Sequence, residues 1–150
     1  MPGRLYLIDS NILIRWVQPE HPDFQTVQQA IQHLEDSEDT PCYTSQNLGE
    51  FWSVMTRPAD SNGYGLSPEG ALTRAEILEA KFRLLPDSVA VHKDWRKLLV
   101  THRISGVQVH DARLVAAMHI HGVKRILTFN TRDFARFTNI EAVHPADLNC

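Results

Sequence analysis

Apolar and polar positions along the 150-residue chain alternate between two kinds of block. Leu5, Tyr6, Leu7 and Ile8 form a continuous apolar run that stops at Asp9-Ser10-Asn11, which predicts a buried strand over 4–9 and a short helix over 11–17. Over 22–36, Phe24, Val27, Ile31 and Leu34 fall on one helical stripe. Residues 41–45 predict a short strand. Leu48, Phe51, Trp52 and Met55 then have the i, i+3, i+4, i+7 spacing of a buried helix face over 46–57. PADSNGYGL, 58–66, is a turn-rich loop. Ser67-Pro68 has the N-cap and N1 chemistry of a helix start. Ala71, Ala75, Leu78, Phe82 and Leu85 carry that helix to Pro86. Ser88–His92 reads as a strand, 93–102 as a helix with Trp95, Leu98 and Leu99, and 111–121 as a helix stopped by Gly122. Arg125–Phe129 and Ile140–Val143 read as the last two strands.

Strand–helix alternation without repeats or linkers predicts one α/β domain, 1–150, with a mostly parallel sheet and helices on both faces. In such sheets ligands bind beyond the carboxyl ends of the strands, and Asp9 ends the first strand.

Composition keeps the chain within ordinary globular bounds, at 43% hydrophobic and 22% charged. Its apolar runs fall short of a membrane span and its first residues lack an apolar leader, so a cytoplasmic protein with no membrane partner is expected. The two cysteines, Cys42 in an apolar segment and Cys150 at the last position, form no CxxC motif. The net charge of -3 argues against a general nucleic-acid coat. Its distribution is uneven: 1–75 hold 4 Lys+Arg against 10 Asp+Glu, and 76–150 hold 11 against 8.

Four acids stand out, and each has an ordinary structural reading. Asp9 and Asp111 precede or open helices and suit capping or the helix dipole. Glu50 lies nearly opposite the apolar stripe of its helix and suits a solvated surface. Asp133, in FNTRDF, suits a turn. Their joint placement is less ordinary, because strand ends and a helix start can converge on one edge of a parallel sheet. Close carboxylates repel unless one takes a proton or a cation sits among them. Hard divalent cations favour such oxygens.

LIDSNIL around Asp9, NLGEFWSVMTRP around Glu50, HDARLVAAM at Asp111, ILTFNTRDFARF past Asp133 and the closing IEAVHP together resemble the PIN-domain ribonucleases, in particular the VapC-like toxins of toxin–antitoxin systems. The ordered set spans nearly the whole chain. The resemblance implies a PIN-like α/β/α sandwich and Mg²⁺- or Mn²⁺-dependent cleavage of RNA. It also implies a homodimer and a cognate antitoxin whose tail blocks the acidic site. Asp9, Glu50, Asp111 and Asp133 fall at the family's acidic, metal-binding and catalytic positions, and Ser10, Thr128 and Asn130 at supporting polar ones. On this reading Asp9, Asp111 and Asp133 hold one metal, with Glu50 serving the same or a second ion.

Arg57, Arg113, Arg132 and Arg136 lie near the matching phrases and are candidate RNA contacts; solvated surface is the ordinary alternative. His119 and His121, two apart on a helix, point to different faces and do not suit a shared metal. His110 adjoins Asp111, but capping or surface placement suits it equally. Trp16, Trp52 and Trp95 fall on or beside apolar stripes and suit a core or a dimer interface. Tyr64 is a candidate substrate contact in the 58–66 loop. Two rival functions remain open at this point. One is a binding module whose acidic pocket receives a basic antitoxin peptide. The other is a phosphatase on a similar sheet, which would want an acid two residues after Asp9, where the chain has Asn11. No GxxxxGK[ST] loop is present.

Overall fold

The computed structural model describes residues 3–148; Cys150 lies outside the described residues. The chain runs β1 (Leu5–Ile8), α1 (Ser10–Trp16), α2 (Phe24–Asp36), β2 (Thr40–Thr44), α3 (Ser45–Thr56), α4 (Pro68–Lys81), β3 (Arg83–Leu85), α5 (Val89–Thr101), α6 (Gln108–His121), β4 (Arg125–Leu127), β5 (Glu141–Val143) and α7 (Pro145–Leu148). Short 3-10 turns interrupt the loops at Ala59–Ser61 and Thr131–Phe134.

The five strands form one all-parallel sheet in the order β3-β2-β1-β4-β5. Alternation along each strand assigns side chains to the two faces. Tyr6, Ile8, Tyr43 and Leu127 pack with α1 to α4 in one apolar cluster. Leu7, Cys42, Leu85 and Ile126 pack with α5 and α6 in the other. Strands this fully covered read as continuous apolar runs, as Leu5–Ile8 does. The fold is therefore the expected α/β/α sandwich. Among the described residues no helix is long and apolar enough to cross a membrane.

Most stripes land where the spacing put them. Phe51 and Met55 are fully buried on α3, with Leu48 and Trp52 packed at the cluster's edge. Ser67 Oγ accepts from Gly70 N–H at 3.1 Å and caps α4. Gly122, at φ +71, ends α6 in the left-handed conformation that glycine adopts without strain.

The segment around Pro86 departs from expectation. The helix does not reach Leu85, and Ser88–His92 is not a strand. Phe82 already has extended backbone, and Arg83–Leu85 pair with Cys42–Thr44 as the edge strand β3. Phe82 and Leu85 keep helical spacing, yet they bury on opposite faces of the sheet, Phe82 with the first cluster and Leu85 with the second. The unpaired edge of β2 supplies hydrogen bonds that one more helical turn would forgo. Ser88 accepts from Val91 N–H at 3.2 Å, so it caps α5 and makes 89–92 the helix's first turn.

Candidate active site

The strand order reverses direction at β1 and β4. The chain leaves β1 toward β2 on one side and returns to β4 on the other. Such a switch point leaves a crevice at the carboxyl ends of the two strands. Asp9 and Thr128 sit there, each one residue beyond its strand.

Asp9 is held at every polar atom. Its N–H donates to Leu127 O at 3.0 Å and extends the ladder. Oδ1 accepts from Ser10 N–H at 2.8 Å, and Oδ2 accepts the Thr128 hydroxyl at 2.7 Å. Asp9 is thus also the N-cap of α1, and the helix begins at Ser10 rather than Asn11. The capping and site readings are therefore compatible, because each oxygen accepts one bond and has lone pairs to spare. Burial pushes the Asp9 carboxyl up to about 6, against the two hydrogen bonds and with the charges of Glu50 and Asp133.

Asp111 lies in the first turn of α6, which starts three residues before the expected opening of that helix. It is half-buried, and burial together with the charges of Asp9, Asp133 and Glu50 pushes it up to about 6. Asp133 is exposed on the 3-10 turn after β4, a turn anchored by buried Phe134. Glu50 is exposed on α3. The charges of Glu50 and Asp133 thus reach both Asp9 and Asp111. Among the described residues no three acids, histidines or cysteines close into a ready-made metal cage. The acids form an open set.

The donor chemistry nevertheless fits a divalent cation. Carboxylates raised by burial and mutual repulsion are returned to the ionised form by a hard positive ion. An open set of oxygens suits Mg²⁺, which keeps several of its waters.

Polar side chains fix the surroundings. Thr128 Oγ1 also accepts from Asn130 N–H at 3.0 Å and from Asn11 Nδ2 at 3.4 Å. Ser10 does not face the acids as a free hydroxyl; it bonds Asn47 O at 3.4 Å and accepts from Asn47 Nδ2 at 3.3 Å. Asn47 is fully buried and closes a capping box with Thr44. The reading of the sequence missed Asn47, although Thr44-x-x-Asn47 carries a variant of the S/T-x-x-E/Q signature. It also missed the structural use of Asn11 and of Gln46, one turn before Glu50. Asn11 stands where a phosphatase of the rival type would carry an acid, and its amide is spent on Thr128 and on Phe129 N–H.

The predicted basic contacts are scattered. Arg57 caps the carboxyl end of α3 and bonds Asn62 O. Arg113 pairs with Asp87 at 3.1 Å and lies over the Trp95 ring. Arg136 bonds Gln108. Arg132 is exposed, with no ion-pair partner among the described residues. Tyr64 accepts from Arg15 at 3.1 Å. Trp16 stacks beside Phe82 at the edge of the core, and Trp95 donates to Val109 O at 2.8 Å. His119 engages Asp94 and Asn139 while His121 engages Pro86 O, so the two share no site.

A model of the PIN domain matches residues 6–140, and the chain belongs to that family. No curated protein sequence matches it. Solved structures share the fold at low identity. A chain of VapBC2 from Rickettsia felis, bound to promoter DNA, superposes with a TM-score of 0.66 at 15% identity, covering 93% of this chain and 98% of that one. Mycobacterium tuberculosis VapC20, described as a toxin cleaving the sarcin-ricin loop, gives 0.65 at 17%, covering 88% and 95%. VapBC-1 from nontypeable Haemophilus influenzae gives 0.66 at 15%, covering 94% and 98%.

Proposed function

We propose that residues 1–150 act as one PIN domain, a divalent-metal-dependent endoribonuclease serving as the toxin of a toxin–antitoxin pair. The observation that carries this reading is that Asp9, at the switch point of the sheet, and Asp111 are both raised by burial and by the charges of Glu50 and Asp133. Family membership and the fold shared with VapC20 and the VapBC chains support it.

Asp9, Asp111 and Asp133 hold Mg²⁺ or Mn²⁺, directly or through water, and Glu50 serves the same or a second ion. The ion supplies acidification of a water and charge stabilisation at the leaving oxygen of a phosphodiester. Thr128 keeps the Asp9 carboxylate in one orientation, and Asn130 and Asn11 keep Thr128 in place. Uncompensated, the four acids repel a phosphodiester, so the same cluster makes RNA binding depend on the cation. A cytoplasmic homodimer and an antitoxin with a basic tail complementing the acids complete the reading.

RNA cleavage by the purified chain tests it. Cleavage is expected with Mg²⁺ or Mn²⁺, and neither with EDTA nor in a folded Asp9→Asn protein. Equal cleavage by Asp9→Asn and wild type overturns the reading. Tight antitoxin binding without any metal-dependent turnover favours the binding module.

A further inference from the structure

The Gln46 side chain spans two of the elements that carry the acids. Its Nε2 donates to Glu50 Oε1 at 3.2 Å, one turn along α3, and to His110 O at 2.8 Å on the first turn of α6. Asp111 is the next residue after His110. One carboxamide therefore ties the helix bearing Glu50 to the backbone that presents Asp111. The amide orientation follows from its partners, since a carboxylate and a carbonyl both accept and only the NH₂ end can serve them. That orientation leaves Gln46 Oε1 buried with no hydrogen-bond partner among the described residues. An orphaned buried carbonyl oxygen is destabilising, so the two donor bonds dictate the pose against that cost.

We infer that Gln46 is a positioning residue that sets the separation and orientation of Glu50 and Asp111 for the cation. The inference rests on the metal reading above. Gln46 touches neither ion nor substrate in this role. It acts by fixing a ligand carboxylate, as partners behind metal ligands do, and loss of such a partner commonly weakens binding 10- to 100-fold.

Calorimetric Mn²⁺ titration of the full chain tests it. Gln46→Met keeps length and apolar bulk but donates no hydrogen bond. Its Mn²⁺ affinity is expected to fall about tenfold, with the melting temperature of the metal-free protein little changed. In a Glu50→Gln background the same change is expected to cost less, because one of the two carboxylates that Gln46 positions is already gone. Should Gln46→Met not fold, Gln46→Asn, which stays polar but is one methylene short, carries the same expectations. Wild-type Mn²⁺ affinity in these variants overturns the role of Gln46 and leaves the metal reading standing. So does a loss of equal size with and without Glu50. Mn²⁺ binding that is absent from wild type, or unchanged in Asp9→Asn, overturns the metal reading and this inference together.

Discussion

The hydroxyl of Thr128 donates to Asp9 Oδ2 at 2.7 Å and joins the carboxyl ends of the two strands at which the sheet changes direction. Both residues are buried, Thr128 completely. Thr128→Val keeps the shape and removes the donor, leaving a buried carboxyl oxygen without its partner. The expected cost is about 1–3 kcal/mol of folding stability, read by denaturant unfolding. The bond also opposes the upward push of burial on Asp9. Its loss should raise the Asp9 pKa further and shift the acid limb of any metal-dependent cleavage to higher pH. Unfolding that matches wild type would show the bond to be immaterial.

Asp9 and Asp111 both lie near 6 in the fold, against an ordinary value of 3.8. Below about 4 they are protonated in the folded and unfolded chain alike and contribute no penalty. Between about 4 and 6 the folded protein holds more protons than the unfolded one, so stability falls as pH rises. Above about 6 the penalty is complete. Metal-free wild type should therefore lose stability relative to Asp9→Asn as pH climbs from 4 to 7. A cation offsets the repulsion, so Mg²⁺ should raise the melting temperature more at pH 7 than at pH 5. Melting curves across that range, with and without Mg²⁺, decide this. Parallel pH profiles for the two proteins would contradict it.

Much of the sandwich was legible because burial leaves a period. Phe51 and Met55 on α3, and the continuous run into Asp9, each match one face or one buried strand. The segment 82–92 was not legible, because helical spacing persists through Phe82 and Leu85 while the partner edge on β2 is far off in sequence. Asp9 and Asp111 were visible as residue types at suggestive places, but not the environment that raises them. Burial and neighbouring charge belong to the assembled crevice. The bridge from Gln46 to His110 spans 64 residues and leaves no local mark beyond the i, i+4 relation to Glu50.

Asn47 has no exposed surface and serves two elements at once. It closes the capping box on Thr44 and reaches Ser10 on α1. Asn47→Leu keeps the branched outline of the side chain and suits a helix, but it removes the acceptor of Thr44 and the amide that donates to Ser10 Oγ. A loss of about 2–3 kcal/mol is expected, combining a lost cap with a buried unsatisfied group. Ser10→Ala removes the two bonds between Ser10 and Asn47 but leaves the capping box intact, and should cost less. Chemical denaturation of both variants measures the order, and a larger loss for Ser10→Ala would refute this division.

The arginines near the acids differ in how far their charge is already engaged. Arg113 is paired with Asp87 and lies over Trp95, whereas Arg132 is exposed beside Asp133 with no ion pair among the described residues. A phosphate contact releases roughly one counterion, so neutralising it flattens the dependence of log K on log salt by about one. With Mg²⁺ fixed and a non-cleavable RNA, Arg132→Ala should lower the slope by nearly that amount. Arg113→Ala should change it less, because Asp87 already cancels much of the charge. Arg57→Ala, at the far end of α3, should leave the slope unchanged. The reverse ranking, with Arg57 dominant, would place the RNA path along the other end of that helix and away from the acid cluster.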